Sequence, residues 1–172
     1  MGVYWKGGGM TVIQILSKDT QDFREVVQAV AVIESIVQPH DAWSYQAMID
    51  LFEQDSVHLL IAYESAESAA AVQGYCLYQS VFEQAEILRI GTHPDYQRRG
   101  LASQIFAQLH LALRDKQVES LLLEVRADNA PAIALYKQQG FEMIHQRKNY
   151  YQLAQKPAVD ALIMQLTYRD FK

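Results

Sequence analysis

A single cysteine, Cys76, is all the thiol chemistry in the 172 residues, so no disulfide can form within the chain. The five histidines (His40, His58, His93, His110 and His145) are scattered without ligand spacing, and the Cys/His patterns of zinc sites are missing. No metal is assigned. Grouped basic charge is scarce as well: 15 Lys and Arg against 20 Asp and Glu leave a net charge of -5. That balance argues against a nucleic-acid partner, because phosphate neutralisation needs clustered cations, and leaves a basic protein or peptide partner open. No apolar run approaches the roughly 20 residues that cross a bilayer, and the first residues lack a signal-peptide core. Neither a membrane nor export is therefore expected, and a reducing cytoplasm suits the single thiol.

Half of the residues are apolar and a fifth are charged, as in an ordinary globular chain whose core needs neither disulfides nor metal at this length. Three glycines precede Met10 and a regular pattern starts just after, so residues 1–9 are set aside as a leader or remnant and residues 10–172 are expected to be one domain. Internal repeats and low-complexity linkers are missing.

Residues 11–16 are β-branched and short, which predicts a strand, and Asp19 or Thr20 offers the cap of a helix. Phe23, Val26, Val27, Val30, Ile33 and Val37 recur at three- and four-residue steps and place one apolar face against a core. Pro39 breaks that pattern, and Ser44 can cap a second, short helix through Phe52. Two strands over 57–63 and 72–80 should pair as a hairpin across the polar loop around 64–68. Cys76 lies within the second and reads as a small buried hydrophobe rather than a nucleophile. Strand 85–92, a helix from Gly100 with Leu101, Ile105, Leu109 and Leu113 at four-residue steps, strand 120–126 and a helix opened by Pro131 follow as a layered α/β domain. Gly140 suits a left-handed helix end, and strands over 141–145 and 161–167 close the chain.

Chemistry is expected where strand meets helix, at Thr92-His93-Pro94-Asp95-Tyr96-Gln97-Arg98-Arg99-Gly100-Leu101-Ala102-Ser103. Gly100 lets backbone come close to a phosphate, the unpaired N–H groups of the first helical turn point at it, and the helix dipole adds attraction. Arg98 and Arg99 supply mobile positive charge. Gly91, a glycine inside a strand, marks either a close backbone approach to a ligand or a packing constraint.

In order, Gln97-Arg98-Arg99-Gly100-Leu101-Ala102 resembles the Q/R-x-x-G-x-G/A pyrophosphate loop of the GNAT acetyltransferase superfamily. Further along, Glu124-Val125-Arg126, Asn129, Ala134-Leu135-Tyr136, Gly140-Phe141 and Arg147-Lys148-Asn149-Tyr150-Tyr151 are similar to the bacterial ribosomal-protein alanine N-acetyltransferases, the RimI family. The likeness runs from about Ile87 to Leu166. Upstream only Ala42-Trp43-Ser44 resembles the family's Pro-Trp-Ser. Ala102 stands where glycine is common and Ala42 where proline is.

The resemblance implies a GNAT acyl-CoA N-acyltransferase fold, a mixed central sheet flanked by helices, with acetyl-CoA as cosubstrate. By the same likeness, Ile90, Gly91 and Thr92 present backbone groups to the pantetheine arm, while Arg98, Arg99, Gly100, Leu101, Ala102 and Ser103 wrap the pyrophosphate. Asn129 holds the arm or phosphate and can also cap its helix. Glu124, near the end of an apolar strand where partial burial raises a carboxyl pKa, is the candidate base. Its other reading is an ion pair with Arg126 or Arg147. Tyr136 is promoted from amphipathic core residue to candidate acid by the resemblance alone, and Tyr150 and Tyr151 are expected to shape the acceptor slot. An α-amino group titrates near ~8 against ~10.4 for lysine, so a weak base prepares a protein N-terminus more readily. The expected acceptor is the N-terminal alanine of a small-subunit ribosomal protein. A small amine as acceptor, or an acyl-CoA-binding module without catalysis, are the alternatives.

Overall fold

The structure, a computed structural model, describes residues 2–6, 9–64, 72–152, 154 and 156–168, with side chains from residue 11 onward. The elements run β1 (Gly2–Lys6), β2 (Gly9–Ile15), α1 (Phe23–Val37), α2 (Tyr45–Leu51), β3 (Val57–Glu64), β4 (Val72–Val81), β5 (Gln84–Thr92), α3 (Leu101–Asp115), β6 (Ser120–Arg126), α4 (Ala130–Gln138), β7 (Glu142–Tyr151) and β8 (Val159–Thr167). A 3-10 turn over Pro94–Tyr96 precedes α3. The strands form one sheet in the order β1-β2-β3-β4-β5-β6-β8-β7. Every neighbouring pair is antiparallel except β5 and β6, which run parallel.

Both faces of the middle of this sheet are covered, which is why β3 and β4 are almost continuously apolar instead of alternating with polar residues. Leu59, Ile61, Tyr75 and Leu77 pack with α1 and α2. Leu60, Ala62, Cys76 and Tyr78, one residue out of step, pack with α3 and α4. Cys76 is fully buried, and burial pushes its thiol far above the range in which a thiolate forms. Phe23 at the start of α1 meets Phe52 at the end of α2 edge-on, 5.2 Å between ring centres.

The expected elements are present, with three differences. Residues 2–6, set aside on the sequence, form β1 along β2. Helix α1 starts at Phe23 behind Asp22, whose side chain makes no capping bond, so neither Asp19 nor Thr20 is its cap. Strand β7 runs to Tyr151 rather than to 145 because it lies at the sheet edge, where nine of its ten residues are exposed and no apolar alternation marks its length. Ser44 does cap α2, accepting from the Ala47 N–H at 3.2 Å. The hairpin loop expected around 64–68 falls almost entirely outside the described residues.

Candidate active site at the parting of two strands

The parallel pairing of β5 with β6 covers only residues 84–87 against 120–123. Beyond Ile87 and Leu123 the two strands share no ladder, so backbone groups of residues 88–92 on that side are released from the sheet. At the same level the register of β5 against β4 shifts: Arg89 pairs with Leu77, Ile87 with Tyr78, and Leu88 is the extra residue of a bulge. The bulge reverses the alternation of β5. Ala85 and Ile87 face α3, as strict alternation requires, but Arg89 shares the opposite face with Leu77. Ile90 returns to the α3 face.

One cavity, of about 490 Å³, opens on the α3 and α4 side. Residues 90–92 line it, with 96–98 and 100–103 at the start of α3, Asn129, Leu135 and Tyr136 on or before α4, and Val37 and Gln38 at the end of α1. Gly100 is the cap residue of α3 at φ 77, a left-handed conformation that glycine adopts without strain, and a β-carbon there would meet nothing within 4 Å. The first N–H groups of α3 have no partner within the helix and face an open cradle shaped for an anion. Gly91 has a separate reason to be glycine, since a β-carbon there would lie 2.8 Å from the Tyr75 ring.

Tyr136 is placed by the end of its own helix. Gly140, at φ 93, donates to the Lys137 carbonyl and Phe141 to the Tyr136 carbonyl, each at 3.0 Å, the paired bonds of a Schellman motif. The rings of Tyr136 and Phe141, 6.0 Å apart, supply its apolar contact. Burial pushes the Tyr136 phenol well above its usual range, so it stays protonated through neutral pH. Asn129 caps α4, accepting from the Ala132 N–H at 3.3 Å, and lines the cavity as well.

A second cavity, of about 510 Å³, lies on the other face of the sheet. Here β6 alternates regularly: Leu121, Leu123 and Val125 face the α3 core, so Glu124 faces away from it. Its carboxylate accepts from the Tyr151 hydroxyl at 2.9 Å and from Arg147 Nη1 at 3.2 Å. Burial, together with the bond to Glu124 and its charge, raises the Tyr151 phenol. Arg126 turns instead to Asp128, at 2.6 Å. Tyr150 and Tyr151 complete one wall, while Asp41, Trp43, Glu86 and Arg89 complete the other. Burial and the neighbouring Glu124 charge hold the Glu86 carboxyl above its ordinary range.

The residues singled out on the sequence thus gather in two groups. Ile90, Gly91, Thr92, Arg98, Gly100, Leu101, Ala102, Ser103, Asn129 and Tyr136 line the first cavity; Glu124, Tyr150 and Tyr151 line the second. Arg99 lines neither, its guanidinium lying 5.5 Å above the Tyr96 ring. Glu34, Asp41, Tyr75, Glu86 and Arg89 were not foreseen. One signal was available: Glu34 stands four residues after Val30 and three before Val37, inside the apolar stripe of α1.

A mixed sheet whose parallel pair parts over a glycine-capped helix start defines an acyltransferase scaffold of the GNAT type. The family model described as "Acetyltransferase (GNAT) family" matches residues 20–141, and the chain belongs to that family. Among curated relatives, the [ribosomal protein bS18]-alanine N-acetyltransferase of Salmonella typhimurium is 44% identical over 92 residues, 54% of this chain and 62% of that protein. The chain therefore spans less than two thirds of that relative. The enzyme of the same name from Haemophilus ducreyi is 28% identical over 124 residues, 72% of this chain and 82% of its own length. Among solved structures, the crystal structure of the ribosomal-protein-S18-alanine N-acetyltransferase from Escherichia coli superposes with a TM-score of 0.76 at 27% identity, covering 92% of this chain and 94% of that one.

Proposed function

We propose that this chain is an acetyl-CoA-dependent N-acetyltransferase of the cytoplasm that modifies the α-amine of a protein N-terminus, alanine of a small-subunit ribosomal protein in the first instance. The observation that carries the reading is the parting of β5 from β6, which sets one cavity on each face of the sheet with strand β5 lining both. The named relatives act on alanine of ribosomal protein bS18, which supports the choice of acceptor.

Acetyl-CoA supplies an electrophilic thioester carbonyl. The N–H groups of residues 101–103 and the positive end of α3 would hold its diphosphate, with Arg98 adding charge at the rim. Freed backbone of residues 90–92 would continue the sheet pairing onto the pantetheine arm, and Asn129 would close the cradle. Across the gap, Glu124 would take the proton that an α-ammonium must lose before it can attack, while Tyr151 and Arg147 keep the carboxylate in place. Tyr136, held protonated by burial, would return a proton to the departing thiolate. Tyr150 and Tyr151 would flank the acceptor's first residue, and the net charge of -5 suits a basic ribosomal protein.

The test is acetyl-CoA with two peptide sets: one beginning with a free alanine, the other blocked at the α-amine and carrying free lysine. Acetylation of the first set is expected in mass spectra. Modification of the blocked set alone would remove the proposal.

A further inference from the structure

Arg89 is held by two carboxylates, a backbone carbonyl and an aromatic ring. Its Nε lies 3.3 Å from Glu34 Oε1, as an ion pair without a hydrogen bond. Nη1 reaches Asp41 Oδ2 at 3.2 Å, and Nη2 donates to the Asp41 carbonyl at 2.8 Å. The guanidinium lies 4.7 Å above the Trp43 ring. Glu34, itself 0% exposed, accepts from the Trp43 backbone N–H at 3.3 Å and from the Tyr75 hydroxyl. A carboxylate without solvent must be paired to remain charged, and here its partners come from the α1–α2 connection, β4 and β5.

The consequence lies at the cavity wall. Residues 38–44 carry no regular structure apart from a turn, so nothing in the backbone ladder fixes where Asp41 and Trp43 stand. Both nevertheless line the cavity that holds Glu124, Arg147, Tyr150 and Tyr151. Arg89 reaches that wall only because of the bulge at Leu88, which turns its side chain from the α3 face to the α1 face. A planar fork of donors suits this task, since it can engage two carboxylates and an aromatic face together, which a lysine cannot.

We infer that Arg89 is a positioning residue for the acceptor: with Glu34 as its buried anchor, it fixes Asp41 and Trp43 as the wall against which the incoming N-terminal segment packs. It touches neither reacting atom. This inference rests on the assignment of that cavity to the acceptor, so its test needs one readout tied to turnover and one that is not.

The experiment compares wild type, Arg89→Met and Arg89→Lys, each carrying Trp5→Phe so that Trp43 is the only tryptophan. Kinetics are measured with an alanine-starting peptide, and Trp43 accessibility by acrylamide quenching. Removing one partner of a buried charged cluster is expected to raise the peptide KM in Arg89→Met by about tenfold or more. Peptide-saturated kcat should change by less than about threefold and acetyl-CoA affinity by less than about twofold, because Arg89 does not line the other cavity, which meets this cluster only through the end of α1 at Val37 and Gln38 and through β5. Trp43 should become more open to the quencher, and Arg89→Lys should fall between the two. If Arg89→Met does not fold, Arg89→Lys carries the same two readouts. An unchanged peptide KM with unchanged quenching overturns the inference, and so does a fall in kcat with both KM values unmoved, the mark of simple destabilisation. A wild-type protein that binds coenzyme but acetylates no peptide defeats the functional reading instead, and Trp43 quenching then decides alone whether Arg89 holds the wall.

Discussion

The two cavities have nearly the same volume, about 490 and 510 Å³, and are made in opposite ways. The one on the α3 side follows contiguous runs at 90–92, 96–98 and 100–103, which include a glycine and a helix start, and is closed by residues of α4 and the end of α1. The one on the α1 side gathers ionisable side chains from separate elements: Asp41 before α2, Glu86 and Arg89 on β5, Glu124 on β6, and Arg147, Tyr150 and Tyr151 on β7. A site built from backbone tolerates many side chains and fails when one residue fills the cradle or reverses its charge. A site built from side chains fails residue by residue, and each loss is partly shared with its neighbours.

The largest effect is expected at Glu124, where the side-chain site would do its proton chemistry. Glu124→Gln keeps the shape and removes the base, so kcat should fall about a thousandfold with coenzyme affinity unchanged. Thiol release with an alanine-starting peptide measures it, and an unchanged rate would leave Glu124 as nothing more than the ion-pair partner of Arg147. Tyr136→Phe comes next, with a loss of about a hundredfold in kcat and intact coenzyme binding. Because its phenol titrates far above neutrality, any alkaline limb of the rate profile up to pH 9 belongs to another group. Gly100→Glu breaks the backbone site by adding strain at a positive φ and a negative charge where an anion should sit, and calorimetry should show acetyl-CoA binding weakened about tenfold. Smallest are the arginines: Arg98→Ala should cost about threefold at low salt, shrinking as salt is added. Arg99→Ala, directed onto Tyr96 and outside the cavity, should cost less than about twofold.

The same contrast explains what could be read in advance. A backbone grip needs its glycine and helix start in one contiguous stretch, so the loop ending at Ser103 is legible as a line of residues. Glu124 is legible too, as a carboxylate near the end of an otherwise apolar strand that the family resemblance also marks, while the face it takes is fixed by the packing of β6. Arg89 is not. Counting by twos from Ala85 and Ile87 places it on the α3 face, and only the extra residue at Leu88, invisible in a run of apolar side chains, sends it to the other. Gly91 was readable as a close approach, though its immediate neighbour is the Tyr75 ring, a contact that depends on strand pairing. The length of β7 was hidden for a related reason, since an exposed edge strand has no buried face to pattern it.

Backbone amide shifts during titration with coenzyme A test the central claim most directly. If the diphosphate lies on the start of α3 and the arm along β5, the amides of residues 101–103 and 90–92 should move most and saturate together, while the Tyr150 and Tyr151 amides move little. Saturable binding that leaves residues 101–103 in place and shifts the Glu124 side instead would contradict the account.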